Sequence, residues 1–275
     1  MSSNLQRVIL GRSGLSVSRL GLGSSYAAPA SAYEEAFERG VNYFYWGSLR
    51  RDPMGSAIRH LAPNHRDDLV VVVQSYARIP ALLRQSVRGA LRKLKLDGAD
   101  VLLLGWHNGP PSPRVMDAAA DLREKGLVRK VAISSHRRAA IPALAEDRRF
   151  DICHLRYNAV HRGAERDVFP AFQPVERHRR PGLVTYTTTR WGHLCDPRRT
   201  PDGERTPTGT DCYRFALSHP QVDTVLAGPG TREEMRQALR AVELGAMDEG
   251  ELAWMQRVGD AIYGRDRTSG ARDRL

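Results

Sequence analysis

Tyr45, Arg50, Gln74 and His107 each stand at or just beyond the end of a short apolar run, and together they supply a phenol, a guanidinium, a neutral amide and an imidazole. A guanidinium beside a phenol draws its pKa, ordinarily about 10, down toward neutrality, which makes Tyr45 a candidate acid or base. An amide cannot titrate, so Gln74 would orient or polarise a bound oxygen, whereas His107 can exchange a proton near neutral pH. Further along, Arg190-Trp191 offers either a two-point clamp for a carboxylate or phosphate, or a cation–π contact at a rim. Tyr26, Trp46 and Trp106 are the aromatic groups at other run ends, and they complete the candidate substrate contacts with Arg190 and Trp191. The histidines lack metal-ligand spacing, and neither His-Glu-x-x-His nor Cys-x-x-Cys occurs, so no metal is expected.

These groups can meet only if the runs that carry them lie side by side. Eight such runs, at 19–24, 43–46, 69–74, 100–106, 130–134, 152–158, 183–188 and 224–228, each lead into a polar or aromatic cluster and then a helix-like stretch. Strands alternating with helices imply a parallel sheet covered on both faces. No glycine-rich phosphate fingerprint follows the first run, which disfavours an open dinucleotide-binding sheet and leaves a closed eight-fold barrel. Such a barrel takes about 250 residues, so the 275-residue chain is expected to be one α/β domain, a (β/α)8 TIM barrel. Segments 7–10 and 15–17 around a glycine-containing turn read as a short N-terminal β-hairpin. Helices are expected at 81–96, on the stripe Leu82, Leu83, Val87, Ala90, Leu91 and Leu94, and at 112–125, where Gly126 stops the chain. Thr231 is placed to cap a helix over 232–243, and 248–262 reads as an extra C-terminal helix with a flexible tail from about 264. The segment 195–210, rich in Pro, Asp, Arg, Thr and Gly, is either a mobile loop over the site or a surface excursion. In a barrel of this kind the chemistry belongs to the C-terminal strand ends.

Composition narrows the partners. No apolar run approaches the roughly 20 residues that span a bilayer, and no leader-like segment opens the chain, so a cytoplasmic protein with no membrane partner is expected. The net charge of +11 comes almost wholly from arginines scattered over several helices, which points to solvated faces or a small anionic ligand and away from nucleic acid. Cys153, Cys195 and Cys212 show no paired spacing and read as reduced thiols.

Read in order, Leu10-Gly11-Arg12-Ser13-Gly14-Leu15-Ser16-Val17-Ser18-Arg19-Leu20-Gly21-Leu22-Gly23, then Gly40-Val41-Asn42-Tyr43-Phe44, Gly126-Leu127-Val128-Arg129, Tyr157-Asn158 and Ala227-Gly228-Pro229, the chain resembles the aldo-keto reductase family over essentially its whole length. The resemblance implies the same barrel and hydride transfer between a nicotinamide cofactor, usually NADP, and a carbonyl. It also implies a catalytic Asp, Tyr, Lys and His, the phenol giving a proton to the developing alkoxide. All four positions differ here. Tyr45 falls at the carboxylate position, the tyrosine falls near Leu49 or Arg50, the lysine becomes Gln74, and the histidine aligns with Gly105, with Trp106 and His107 following directly. The cofactor positions are partly kept. The Ser-Asn pair that meets the nicotinamide amide becomes Ser134-Ser135, its glutamine becomes His154, and Tyr186 matches the aromatic on which the ring stacks. Backbone phosphate contacts are implied around Thr187 to Gly192 and at Gly228-Pro229-Gly230-Thr231, where a helix begins. Toward the adenine end stand Gln237-Ala238, with Glu234 where some members carry an arginine for a 2′-phosphate and Arg232 or Arg236 as substitutes.

The leading expectation is a divergent NAD- or NADP-linked oxidoreductase acting on a small carbonyl or anionic compound with a non-standard proton donor. A lyase, dehydratase or isomerase on the same barrel, or a binding or regulatory homologue without turnover, are the alternatives.

Overall fold

The computed structural model describes residues 5–47 and 51–268. Strands β1 (Arg7–Ile9) and β2 (Ser16–Ser18) pair antiparallel, and Gly11 and Gly14 take positive φ in the turn that joins them. Eight parallel strands follow: β3 (Leu20–Gly23), β4 (Tyr43–Trp46), β5 (Val70–Ser75), β6 (Ala99–Leu104), β7 (Val128–Ser134), β8 (Ile152–Arg156), β9 (Gly182–Tyr186) and β10 (Thr224–Ala227). They close into a barrel in which β10 pairs with β3. The fold is the expected (β/α)8 barrel with its N-terminal hairpin. The helices that cover it are α1 (Ala30–Glu38), α2 (Asp52–His65), α3 (Pro80–Leu94), α4 (Pro113–Glu124), α5 (Ile141–Glu146), α6 (Ala164–Asp167), α7 (Phe169–Phe172), α8 (Gly209–Ser218) and α9 (Arg232–Leu244), with α10 (Glu249–Thr268) added at the end.

Side chains alternate along each strand with period two, and that alternation builds two cores. Tyr43, Val72, Val101, Leu103, Ile152 and Leu226 point into the barrel, where Leu10, Leu15 and Val17 of the hairpin join them and plug one end. Their neighbours Phe44, Trp46, Val71, Leu102, Ile133 and Val225 point out and pack under the helices. The plugged end is the N-terminal one, because Gly11 bridges to Pro181 just ahead of β9 and the Arg12 amide donates to the Arg180 carbonyl. There, buried carboxylates accept strand amides: Asp100 from Val71, Asp151 from Val131 and Asp223 from Leu183, at 2.8–2.9 Å. Arginines close each arrangement. Asp100 pairs with Arg66 and Arg129 at 3.0 Å, and Asp223 pairs with the buried Arg180 at 2.8 Å.

Three details differ from the sequence expectation. Leu82 is exposed, because the buried stripe of α3 runs through Leu83, Val87, Leu91 and Leu94 and leaves Leu82 one step off it. The last helix continues past 262 to Thr268, so 264–268 are helical and only the remainder of the tail lies outside the described residues. The segment 195–210 is tied to α10: Arg205 stacks on Trp254 at 3.8 Å, Glu204 accepts from Arg257 at 2.8 Å, and Arg199 pairs with Asp266 at 3.3 Å. It is a fastened surface segment whose two ends, Cys195 and Gly209, reach a cavity beside the barrel.

Candidate active site

Following the inward alternation to the open end of the barrel gives Tyr45, Gln74, Ser134, His154 and Tyr186, and all five line one cavity of about 410 Å³. Gly228, one step beyond β10, lines it as well. Small residues make the room. A Cβ on Gly21 would come within 2.8 Å of the Tyr43 ring, and a Cβ on Gly105 would come within 2.5 Å of Gln74 Nε2. Glycine at 105 therefore lets Gln74 and Tyr76 occupy the mouth.

Tyr45 donates its hydroxyl proton to Gln74 Oε1 at 2.5 Å. Its pKa is raised, first by burial and then by the neighbouring phenols Tyr76, Tyr186 and Tyr43. The expected lowering by a guanidinium is therefore corrected, and Arg50, the residue assigned that part, lies outside the described residues. One layer down, the Tyr43 hydroxyl shares a 2.9 Å hydrogen bond with His154 Nε2. Burial pushes His154 down to about 3, so this pair is neutral at physiological pH. Tyr186 has its hydroxyl buried at the cavity without a hydrogen-bond partner among the described residues, and burial raises it to about 12.

His107 is not in the mouth. Its amide donates to the Ser134 carbonyl at 2.7 Å, and its ring lies in a separate hollow beside Arg78, where burial and that cation push it down to about 4. The cause is Trp106, whose φ of 57° breaks the alternation and swings its own indole over the mouth instead. There it stacks on His136 at 5.1 Å, ring to ring. His136 and Tyr76 line the cavity and were not singled out from the sequence, although each lies two residues beyond an inward strand residue, Ser134 and Gln74. That spacing was the signal that could have found them.

Other assignments move for equally local reasons. Trp46 points outward: it is buried under the helices, donates from Nε1 to the Arg51 carbonyl at 2.9 Å and lies 4.3 Å beneath the Arg51 guanidinium, away from the cavity lining. Ser135 is fully buried and donates to the Arg137 carbonyl at 3.1 Å, whereas Ser134 lines the cavity and accepts from the Trp106 amide at 2.9 Å. Arg190 is buried in an ion pair with Asp266 of α10 and does not line the cavity. Its neighbour Trp191 does reach the mouth, with the Arg156 guanidinium 5.4 Å from its ring, so the rim cation–π contact exists with a different arginine.

A second cavity of about 460 Å³ adjoins the first and shares Tyr26, Thr189, Trp191, Tyr213 and Gly228 with it. Gly230, Thr231 and Gln237 line its far side, and Thr187 remains with the first cavity. Thr231 caps α9 as expected, accepting from the Glu234 amide at 3.1 Å. The Glu234 carboxylate folds back to accept from the Gly230 amide at 2.6 Å, so an anion-binding donor at this helix start is already taken. Gln237 Oε1 accepts from the Gly209 amide at 3.1 Å. Arg232 is turned away, paired with Glu35 at 3.0 Å and bonded to Ser31. Among the described residues no three His, Cys, Asp or Glu side chains converge as metal ligands, and no helix is long and apolar enough to cross a membrane.

A closed (β/α)8 barrel with a hairpin plug below and two adjoining cavities above defines a class of barrel proteins with a C-terminal-face site. This chain belongs to the aldo/keto reductase family, whose model matches residues 14–195. It is similar to an uncharacterized oxidoreductase of Bacillus subtilis (strain 168), 22% identical over 300 residues that cover 90% of this chain and 94% of that protein. Among solved structures it superposes on an aldo-keto reductase of Bacillus halodurans. The holo form gives a TM-score of 0.76 at 22% identity, covering 94% of this chain and 97% of that one. It also resembles an aldo/keto reductase of Klebsiella pneumoniae in complex with NADP and acetate, with a TM-score of 0.73 at 18% identity over 93% and 96% of the two chains.

Proposed function

We propose that this protein is an oxidoreductase that binds a nicotinamide dinucleotide across the two joined cavities and reduces or forms a small, uncharged carbonyl compound in the mouth, with Tyr45 as proton donor. The observation that carries this reading is that the inward strand ends converge on a cavity which shares five lining residues with a second cavity reaching the start of α9. The residues fit the nicotinamide end of such a nucleotide: the Tyr186 hydroxyl is buried there without a partner among the described residues, and Ser134 and His154 supply polar atoms at the same wall. When bound, the nucleotide supplies or accepts a hydride at the carbonyl carbon.

The chain's own residues do the rest. Raised by burial, Tyr45 stays protonated at physiological pH, and its O–H can turn from Gln74 Oε1 to the substrate oxygen. Giving up that proton is still downhill once an alkoxide forms, because an alkoxide is about as basic as hydroxide, and water itself has a pKa of about 15.7. Gln74 keeps its amide N–H groups to donate to the same oxygen. The aromatic rim of Trp106 and Trp191 screens the mouth from water, and each is about half exposed. Arg190 is bound to Asp266, so that guanidinium is not offered to an anionic group, which favours an uncharged substrate. In the described residues the tetrad positions named by the resemblance hold Tyr45, Gln74 and Gly105, which supports a non-standard proton donor.

NADH is the better fit. Glu234 faces the second cavity, and the two arginines beside it are paired, Arg232 with Glu35 and Arg236 with Glu233 at 3.8 Å, which disfavours an added phosphate. Titration with NADH and NADPH, read by ligand fluorescence and by thermal stability, tests this. Saturable NADH binding at least tenfold tighter than NADPH is expected, with Glu234→Gln narrowing the gap; no binding of either at millimolar concentration removes hydride transfer. One observation favours a second reading, ligand binding without turnover: Tyr45 and Tyr186 are raised and His154 and His136 are lowered, so these cavity groups are not tuned toward neutral pH. That reading predicts tight nucleotide binding and no reaction with any carbonyl compound.

A further inference from the structure

Cys195 and Cys212 lie almost within bonding reach of one another. Cys195 ends a short turn, His193–Cys195, and Cys212 stands in the first turns of α8, 17 positions later; their sulfur atoms share a hydrogen bond at 3.8 Å. A disulfide needs an S–S distance of about 2.05 Å, so bonding requires the sulfurs to close by less than about 2 Å. The two thiols differ as an attacking and a resolving sulfur must. Cys212 is buried, whereas Cys195 is half-buried and lines the second cavity, through which a small molecule reaches it. The hydrogen bond shared with Cys212 draws the Cys195 thiol below its ordinary range, while the same bond and burial push Cys212 up. Cys195 therefore becomes thiolate first. Cys153 is sealed between the barrel and its helices, and burial pushes its thiol up to about 12, which makes it an internal control.

We propose that Cys195 and Cys212 form an oxidisable dithiol, a modification site whose co-reactant is a small hydroperoxide. The Cys195 thiolate attacks the terminal peroxide oxygen; an S–O bond forms, the O–O bond breaks, and the departing oxygen takes a proton and leaves as an alcohol, or as water from hydrogen peroxide. Cys212 then gives up its proton and attacks the Cys195 sulfur; the S–S bond forms, the S–O bond breaks, and water leaves. Two thiols lose two electrons, and one peroxide gains them. The bridge ties the 193–195 turn to α8 and narrows the second cavity between Cys195 and Gly209. This last consequence rests on the nucleotide reading above; the dithiol itself does not.

The test uses the reduced full chain and one equivalent of hydrogen peroxide, followed by alkylation in denaturant and mass measurement. The expected product has lost two hydrogens, keeps one alkylatable thiol, Cys153, stays a single chain on non-reducing electrophoresis and returns to three thiols with reductant. Cys212→Ser should accumulate a sulfenic acid on Cys195 that a 1,3-dione traps, and Cys195→Ser should remain unoxidised at the same dose. Three alkylatable thiols in the treated wild type, cross-links between chains, or oxygen adducts in place of the bridge would overturn the proposal. NADH affinity is measured on both forms, with at least a tenfold loss expected on oxidation. A bridge with unchanged affinity overturns the narrowing, whereas reduced protein that binds no NADH overturns the nucleotide reading and leaves the thiol count to decide the dithiol.

Discussion

The two ends of this barrel are built on opposite electrostatic principles. At the plugged end, Asp100, Asp151 and Asp223 are buried charges, each accepting a strand amide, with arginines within 4 Å. At the open end, Tyr45, Gln74, His154 and Tyr186 are neutral groups, and one of them, the Tyr186 hydroxyl, is buried without a partner among the described residues. The lower end spends its polar atoms on itself, and the upper end holds them in reserve for something that enters. The same eight strands thus separate stability from chemistry along their own length, as parallel barrels do.

Cutting into each end should give different phenotypes. The largest effect on folding is expected from Asp223→Ala, which leaves Arg180 as an uncompensated buried charge and the Leu183 amide without its acceptor. Breaking such a pair costs about 3–5 kcal/mol, so chemical denaturation should show a loss of that size while the folded fraction still binds nucleotide. Gly105→Ala is next. Its new Cβ meets Gln74 Nε2 and the Tyr76 ring, and overpacking of that kind costs about 1–3 kcal/mol. Because Gln74 must move, Tyr45 loses its acceptor, and ligand affinity at the mouth should fall along with stability. A variant that binds normally would show that the Tyr45–Gln74 contact plays no part.

Acid sensitivity sharpens the contrast further. Burial pushes His154 to about 3 and His107 and His219 to about 4, while the unfolded chain titrates its histidines near 6.5. Between those values the unfolded state binds protons that the folded state refuses, so stability is full above about pH 6.5 and falls as pH drops toward 4. Melting temperatures at pH 8 and pH 5 measure this, and His154→Gln should flatten the dependence. The smallest effect on folding is expected from Tyr45→Phe, which removes one net hydrogen bond worth about 1 kcal/mol.

What was legible in the sequence was whatever period-two alternation controls. Tyr43 and Tyr45 on one face, Gln74, Ser134 and Tyr186 at the mouth, and the closure of eight strands all follow from apolar spacing. The misplaced residues share a different cause. His107 was lost because Trp106 adopts a left-handed conformation that resets the alternation, and spacing carries no trace of it. Arg190 lies outside the cavity lining because its partner, Asp266, comes from a helix that packs back from the far end of the chain, a contact that spacing does not encode. The pKa of Tyr45 moved opposite to expectation because burial, which depends on every neighbouring strand, is the largest influence on it.

The most direct test of the account is a single-turnover experiment in which protein saturated with NADH is mixed with a panel of small uncharged carbonyl compounds, and nicotinamide absorbance is followed for the wild type and Tyr45→Phe. Hydride transfer with Tyr45 as proton donor requires oxidation of bound NADH by at least one compound in the wild type, and a rate lower by about 10²-fold or more in Tyr45→Phe with NADH affinity unchanged. Equal rates in the two proteins, or tight NADH binding with no oxidation in either, would contradict it.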